Sequence, residues 1–336
     1  HKKPSGVWIM AYTTIDKPTD YFNTKLYTGN GSNATGITGV GFQPDWVWCK
    51  QRDGADNYVL GDSVRGGNKQ IYSNLTNAET SSTDMLQSFN SDGFTLGTDG
   101  AVNRNGNTYA SWNWKKTATA GFDIVLYTGN ASNRTISHSC GAIPKMIIIK
   151  DRDADDNWNV YTAPTGNDSH LHLNLGNGAS GSSGYWNDTT PTSSVFSLGS
   201  DNSVNKNGND FIAYCFAEKQ GYSKCSSYTG NGNTDGTYVY TGFKPAWVLC
   251  KISSGSDNWV IVDNKRAPFN EAENTLRPNI ANAEYTGTAY GIDILSNGFK
   301  CRTTDGNFNG SGSTYIYMAF AENPFVSSTG IPGLAR

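Results

Sequence analysis

The strongest constraint on how this chain can fold is an internal repeat of about 100 residues. Residues 41–50 read G-F-Q-P-D-W-V-W-C-K, and the stretch returns as P-K-M-I-I-I-K at 144–150 and G-F-K-P-A-W-V-L-C-K at 242–251. Pro44, Pro144 and Pro245 are separated by 100 and then 101 residues. A period of this length indicates one structural unit formed three times in succession.

The repeated stretch predicts a buried central strand. Residues 46–49 are apolar at successive positions, so a strand here would be covered on both faces. Each repeat closes with an aromatic strand, and in the first one Trp112 and Trp114 share a face. These patterns predict a core that contains Trp46, Trp48, Trp112, Trp114, Trp247, Phe94, Phe196 and Phe299.

Composition favours an all-β fold. Charged residues make up only 16% of the chain against a usual value of roughly 25%, and there are 38 glycines. Many short strands with turn residues every 8–15 positions are typical of compact antiparallel sandwiches. Because the junctions between repeats are short, we expect three tandem β-sandwich modules in an elongated row.

The repeat boundaries divide the chain into five parts. The predicted parts are an N-terminal strand at 1–20, sandwich repeats at 21–118, 119–219 and 220–325, and a C-terminal arm at 326–336. The N-terminal strand comprises Val7, Trp8, Ile9, Met10, Ala11 and Tyr12 and resembles a closing strand whose own repeat is missing. It would either assemble with a neighbouring subunit or pack as an extra strand on the first repeat.

Charge and hydropathy exclude two kinds of partner. The net charge is −3 and there is no basic patch, so nucleic acid is not expected to bind. No apolar run approaches the ~20 residues that a membrane-spanning helix needs. We therefore expect no insertion into a membrane.

No catalytic or metal constellation stands out, so we predict a protein that is not an enzyme and needs no cofactor. His170 and His172 would share one strand face, but a third metal ligand is missing. The acidic run at Asp151, Asp153 and Asp155 lacks the glycine and glutamate of a helix-loop-helix calcium site. A weak divalent-cation site there is the alternative.

The six cysteines do not suggest a disulfide framework. Cys49 and Cys250 occupy one repeat position that Ile149 fills in the second repeat, as expected of a buried packing site. Within a repeat, only Cys225–Cys301 or Cys140–Cys215 are attractive bridges.

Two groups of residues are candidates for ligand binding. The Asp62/Arg65 pair returns as Asp263/Arg266 and is replaced by threonines in the second repeat, so it would line a groove or pin a loop. Tyr185 and Trp186 lie in a Gly/Ser-rich segment, where aromatic rings would either be exposed for stacking on saccharides or be buried against a neighbouring module.

Taken together, the motifs resemble a known family of repeat domains. The pattern Y-T-G-N, G-F-x-P-x-W-V-x-x-K, D-x-x-R, S-D-G-F-T-L-G and N-x-x-G-x-x-Y-x-x-W-x-W-K is similar to structural proteins of marine tailed phages, cyanophages especially. The resemblance covers residues 21–336 and implies lectin-like or jelly-roll-like sandwich modules in a tail fibre, appendage or decoration protein. The second repeat departs from it, because Met146 and three isoleucines replace the tryptophan strand.

The resemblance implies a non-enzymatic phage virion protein on the particle surface that attaches to host surface glycans. Its partners would be other copies of itself, as a trimer or polymer, or other virion proteins. The alternative is an extracellular filament or surface-layer subunit that polymerises by donating residues 7–12. A polysaccharide-degrading enzyme is the third hypothesis, and it lacks an identifiable catalytic set.

Overall fold

The computed structural model describes residues 11–332 and is all-β with antiparallel sheets, which confirms the predicted class. A 3₁₀ helix, Pro18–Asp20, precedes the first strand. The elements of the first repeat are β1 Phe22–Thr28, β2 Thr35–Thr38, β3 Trp46–Gln51, β4 Val59–Asp62, β5 Lys69–Tyr72, β6 Thr80–Ser81, β7 Leu86–Asn90, β8 Gly93–Leu96, α1 Gly100–Asn103 and β9 Thr108–Trp114.

The other two repeats follow the same order with local changes. Those of the second are β10 Phe122–Thr128, β11 Arg134–Ser137, β12 Pro144–Asp151, β13 Asn159–Thr162, β14 Gly166–His172, β15 Ser180–Gly181, α2 Ser183–Trp186, β16 Val195–Leu198, α3 Asn202–Asn205 and β17 Asp210–Ala217. Those of the third are β18 Ser223–Thr229, β19 Tyr238–Tyr240, β20 Phe243–Ile252, β21 Val260–Asp263, a 3₁₀ helix Thr288–Tyr290, β22 Ile292–Leu295, β23 Gly298–Cys301 and β24 Thr314–Pro324.

Each repeat contributes one main sheet and one small sheet. The main sheets run β1-β9-β3-β4-β5-β6, β10-β17-β12-β13-β14-β15 and β18-β24-β20-β21. The small sheets are β2-β8-β7, β11-β16 and β19-β23-β22. In each main sheet the strand from the repeated stretch pairs with the closing strand of the same repeat, for example Trp46 opposite Trp114.

The central strand β3 is buried on both faces, as its sequence predicts. Val47 and Cys49 pack with Phe94 in a core between the main and small sheets of the first repeat. Trp46 and Trp48 point to the opposite face and are fully buried there. All eight residues predicted for the core are buried.

The opposite faces of the three main sheets meet in one hydrophobic cluster, which we call the central core. It includes Trp46 and Trp114 of the first repeat, Tyr214 of the second, and Trp247 and Phe320 of the third, among others. The Trp46 and Tyr214 rings stack with centroids 4.5 Å apart, and those of Trp114 and Trp247 meet edge to face at 5.4 Å. The expected elongated row is therefore wrong, because all three repeats share this core.

The repeats also contact one another through a recurring backbone hydrogen bond. The bonds join Glu79 N to Arg152 O (2.8 Å), Ala179 N to Ser253 O (2.8 Å) and Glu284 N to Arg52 O (2.7 Å). Each of the three repeats therefore contacts both others, and the third returns to the first. The short linkers between repeats led to the wrong expectation of a row. A short linker is equally compatible with neighbouring repeats that pack side by side around one core.

Candidate functional site

The two predicted Asp/Arg pairs lie between repeats and do not line an open groove. Arg65 Nε donates to Asp62 Oδ2 (2.5 Å), and the Tyr214 hydroxyl of the second repeat donates to the same carboxylate (2.9 Å). Both charged side chains are fully buried. These contacts make the pair part of the interface between the first and second repeats.

The second pair has the same role at another interface. Arg266 Nε donates to Asp263 Oδ2 (2.6 Å), and the indole Nε1 of Trp112 in the first repeat also donates to that oxygen (2.9 Å). Trp112 occupies the position in its closing strand that Tyr214 occupies in the second repeat. At the corresponding position of its closing strand the third repeat has Met318, whose side chain carries no hydrogen-bond donor. In the second repeat, Thr162 and Thr165 replace the charged pair.

Tyr185 and Trp186 belong to the interior of the second repeat. Trp186 is buried, meets the Tyr161 ring edge to face and donates its Nε1 to the Ser169 carbonyl (2.9 Å). Tyr185 is half-buried and stacks on His170 with ring centroids 3.7 Å apart. Neither the expected exposed platform nor burial against a neighbouring module describes them, because they pack within their own repeat.

The acidic run at 151–156 uses its carboxylates to fix backbone. Asp151 Oδ1 accepts from Asp153 N (2.9 Å) and Ala154 N (3.0 Å). Asp155 Oδ1 accepts from Ala78 N of the first repeat (2.9 Å). Within residues 11–332 no group of three or more His, Cys, Asp or Glu side chains could hold a metal ion.

His170 and His172 lie side by side on β14 with ring centroids 5.0 Å apart. Burial and the neighbouring charge of His172 lower the pKa of His170 to about 4, and burial also lowers the pKa of His172. Both imidazoles are therefore neutral near pH 7, and the Nδ1 atom of each is buried without a hydrogen-bond partner.

The six cysteines are all buried and carry free thiols. Cys49 and Cys250 occupy equivalent sites, each against a tyrosine hydroxyl: Tyr27 Oη lies 3.0 Å from Cys49 Sγ, and Tyr228 Oη lies 3.1 Å from Cys250 Sγ. The structure forms neither of the two candidate bridges, Cys140–Cys215 and Cys225–Cys301. Cys140 Sγ donates to the Cys215 carbonyl instead (3.4 Å).

A different feature combines exposed aromatic rings with an open cleft. Tyr238 and Tyr240 lie on strand β19, at one edge of the small sheet of the third repeat. Their side chains are 44% and 48% exposed, whereas Val239 between them is buried. Alternation along the strand places both tyrosines on the outward face, where they flank one another at i and i+2.

The cleft beside Tyr240 has a volume of about 390 Å³. We call it the tyrosine cleft, and its lining residues are Tyr12, Glu218, Gln220, Gly221, Ser223, Lys224, Tyr240, Thr241 and Gly242. It therefore lies where the end of the second repeat, the start of the third and the N-terminal segment meet.

Contacts among these side chains hold the walls of the tyrosine cleft in place. The Tyr12 hydroxyl donates to the Gly242 carbonyl (2.7 Å) and lies 3.3 Å from the Tyr240 hydroxyl. Lys224 Nζ lies over the Tyr240 ring, 5.4 Å from its centroid. Glu218 accepts from Cys225 N (2.9 Å). The carboxylate of Glu218 and the ammonium group of Lys224 therefore both belong to residues that line the cleft beside the Tyr240 ring.

Only the third repeat has aromatic residues at these outward positions. Val239 pairs with Phe299, and the equivalent pairs are Ile37 with Phe94 and Ile136 with Phe196. The residues that flank Ile37 are Gly36 and Thr38, and those that flank Ile136 are Thr135 and Ser137. The difference is visible in the sequence once the three repeats are aligned at the buried residue, but no recurring motif marks it.

The proposed assembly strand lies largely outside the described residues. Val7, Trp8, Ile9 and Met10 precede residue 11, and Ala11 and Tyr12 are not in a strand. From Tyr12 onward the segment is bonded within its own chain: Thr13 Oγ1 donates to the Gln220 carbonyl (2.8 Å), and Ser328 N donates to Asp16 Oδ1 (2.6 Å).

The fold and this site define an all-β protein whose sequence repeats pack around a common core, with one cleft bordered by aromatic rings. The chain matches the family described as "Domain of unknown function (DUF7483)" over residues 17–324, and it belongs to that family. No curated protein matches it. Among residues 11–332, no helix has the length and apolar character required to cross a membrane.

Proposed function

We propose that this chain is a non-enzymatic structural protein of a phage particle surface that attaches to host glycans through the tyrosine cleft. The observation that carries the binding half is the exposed Tyr238–Tyr240 pair beside a cleft with a lysine and a glutamate. Aromatic faces supply flat apolar contact area, and a few polar groups then fix the orientation of a ligand.

Saccharides suit this combination better than apolar ligands do. A pyranose ring has one apolar C–H face, which stacks on an aromatic side chain, and a rim of hydroxyls, which need donors and acceptors. Lys224 supplies donors and Glu218 supplies an acceptor at the same cleft. Two tyrosines on alternate positions of one strand would contact successive sugar units of a chain.

The packing of the repeats supports a structural role. We propose that three copies of one sandwich module close on each other around the central core, so that the chain resembles a trimer made from one polypeptide. Such a body would hold the cleft rigidly on a surface, and a preorganised site loses less entropy when a ligand binds. The phage assignment rests on the resemblance of the repeat motifs, with a virion-surface location and virion partners as its consequences.

Binding is tested by presenting the purified chain and its Tyr238→Ala and Tyr240→Ala variants to an array of neutral oligosaccharides. We expect binding by the parent chain and a loss of roughly fivefold in each variant, since a stacked aromatic ring contributes about 1 kcal/mol. Phe269→Ala is the matched control, because Phe269 is 79% exposed in the same repeat and does not line the tyrosine cleft. An unaltered array pattern in both tyrosine variants would remove the cleft from the proposal.

The virion half needs a separate measurement. Mass spectrometry of purified phage particles whose genome encodes this chain should find it among the particle proteins, and antibodies against the folded chain should label intact particles. Absence of the chain from particles would reject the virion role and leave the binding result intact.

Deleting residues 1–12 tests the alternative function, a filament subunit that polymerises by strand donation. Polymers that form in the full chain and persist after the deletion would reject that alternative.

A further inference from the structure

A second cleft lies where the third repeat meets the first. Its volume is about 410 Å³, and we call it the arginine cleft. Ala55 comes from the first repeat and the remaining lining from the third, namely Thr275, Arg277, Asn282, Ala283, Glu284 and Tyr285. It shares no lining residue with the tyrosine cleft.

The third repeat builds this cleft with a loop that is longer than its counterparts. Glu79 follows Asp62 by 17 positions and Ala179 follows Thr162 by 17, whereas Glu284 follows Asp263 by 21. The longer loop is not loosely attached, because Thr275 and Tyr285 exchange backbone hydrogen bonds of 2.9 and 3.0 Å. The cleft therefore has fixed walls.

Arg277 brings a positive charge to the cleft that the protein does not neutralise. Its guanidinium lies over the Tyr290 ring at 4.8 Å from the centroid, and it forms no salt bridge within residues 11–332. The acid in the same cleft, Glu284, is already bound by Arg52 (2.7 Å) and Arg266 (2.9 Å). A ligand anion would thus find an unpaired guanidinium and a carboxylate whose charge two arginines compensate.

A buried hydroxyl in the cleft also lacks a partner. Thr275 is 1% exposed, and its Oγ1 makes no hydrogen bond. A buried polar group without a partner costs free energy, so the wall of the cleft contains a polar atom that the protein leaves unsatisfied. Tyr285 is 41% exposed at the same cleft and meets the Tyr290 ring edge to face at 4.8 Å.

We propose that the arginine cleft binds a saccharide that carries a carboxylate, that is, a uronic-acid unit. The planar guanidinium of Arg277 matches a planar carboxylate through two parallel hydrogen bonds. The exposed amide of Asn282 bonds the ring hydroxyls, and the exposed face of Tyr285 contacts the sugar ring. A cleft of this volume with neutral polar groups is larger than a simple inorganic anion requires. The inference stands independently of the tyrosine cleft.

Calorimetric titration compares an oligomer of glucuronic acid with a glucose oligomer of equal length. The parent chain should bind the acidic oligomer at least tenfold more tightly, and added salt should weaken that preference. Arg277→Gln should abolish the preference, and Arg277→Lys should retain part of it because the charge remains. Arg134→Gln is the matched control and should leave both affinities unchanged, because Arg134 is a partly exposed arginine of the second repeat that does not line the arginine cleft.

Several outcomes would overturn the inference. They are no binding of the acidic oligomer by the parent chain, equal affinity for the two oligomers, or an unchanged preference in Arg277→Gln. Displacement of the oligomer by an equal concentration of inorganic phosphate would show a simple anion site. Loss of the preference in Tyr240→Ala with retention in Arg277→Gln would move it to the tyrosine cleft. If Arg277→Gln does not fold, Tyr285→Ala removes an exposed ring and should weaken binding of both oligomers at least threefold; unchanged affinity would overturn the role of that ring and the inference with it.

Discussion

The indole Nε1 of Trp112 donates a 2.9 Å hydrogen bond to Asp263 Oδ2, across 151 residues of sequence, and joins the closing strand of the first repeat to the third. The same carboxylate oxygen accepts from Arg266, whose guanidinium carbon lies 5.5 Å from the Trp112 ring centroid. A buried charge pair and an indole therefore form one unit at an interface that no short linker spans.

Substituting Asp263 by Ala should destabilise the protein by about 3 kcal/mol. The change leaves Arg266 buried without its main partner, and breaking a buried pair typically costs about 3–5 kcal/mol. We take the low end because Glu284 still accepts from Arg266 (2.9 Å). The measurement is the free energy of unfolding in urea.

The second repeat suggests a matched control for Asp263→Ala. At the positions of Asp263 and Arg266 the second repeat has Thr162 and Thr165. At the position of Trp112 the third repeat has Met318. The triple variant Asp263→Thr, Arg266→Thr, Trp112→Met introduces these uncharged residues at the interface between the first and third repeats. It leaves no buried charge unpaired. It should be more stable than Asp263→Ala. A triple variant that is less stable would show that the ion pair and the buried Trp112 indole together stabilise the interface more than the neutral residues do.

Truncating Trp46 to Ala should destabilise all three repeats together. The side chain is fully buried in the central core, and a cavity of this size typically costs about 3–5 kcal/mol. Because the core is shared, scanning calorimetry should show one transition that moves to lower temperature as a whole. Phe196→Ala, in the separate core of the second repeat, should shift the same single transition. Three transitions, of which Trp46→Ala moves only one, would indicate independently stable modules.

The fold class and the central strands could be predicted because residue alternation reports which strand faces are buried. Residues 46–49 alternate between two cores, with Trp46 and Trp48 in the central core and Val47 and Cys49 in the core of one repeat. Alternation does not say what covers each face. In an elongated row the face of β3 that carries Trp46 and Trp48 would be exposed. The sequence already argues against this, because two tryptophans on an exposed face would leave a large apolar surface in water.

The candidate site was harder to predict because motifs that recur mark packing. Asp62, Arg65, Asp263 and Arg266 recur since they hold interfaces together, and their side chains are buried. Tyr238 and Tyr240 occur in one repeat only, so the search for a shared motif passes over them. In a chain of repeats, the positions where one copy departs from the others on an outward face are better candidates for binding.

Three buried lysines each contribute stability that rises with pH on the alkaline side. Lys50, Lys150 and Lys251 donate to loop carbonyls, and burial lowers the pKa of each to about 8 from an ordinary value near 10.5. Between these values the unfolded chain binds protons that the folded chain does not, so stability increases with pH. We expect a gain of up to about 1 kcal/mol per lysine between pH 8 and pH 9.

Urea unfolding at pH 7.5, 8, 8.5 and 9 measures this gain. Lys50→Met removes one of these titrating groups and should lower the gain in stability between pH 8 and pH 9 by up to about 1 kcal/mol, whatever it does to stability at pH 7.5. Lys17→Met, at an exposed lysine, should leave the slope unchanged. An equal change in stability with pH in the parent chain and in Lys50→Met would contradict the assignment. The two proteins are compared because burial raises the pKa of the thiols of Cys49, Cys215, Cys225, Cys250 and Cys301, and these groups lower stability with rising pH in both proteins alike.

On the acid side, His170 should make stability fall between about pH 6.5 and pH 4. Its folded-state pKa of about 4 lies below the ordinary value of 6.5, so in this window the unfolded chain takes up a proton that the folded chain excludes. Stability is therefore fully present above pH 6.5 and is lost as the pH falls, by roughly 1–3 kcal/mol. The first repeat has Gln70 at the equivalent position, so His170→Gln provides a non-titrating substitute already used in this fold. Urea unfolding of the two proteins from pH 7 to pH 4.5 should show a smaller loss in the variant. Equal losses would mean that other groups govern acid unfolding and that the contact between His170 and Tyr185 tolerates protonation.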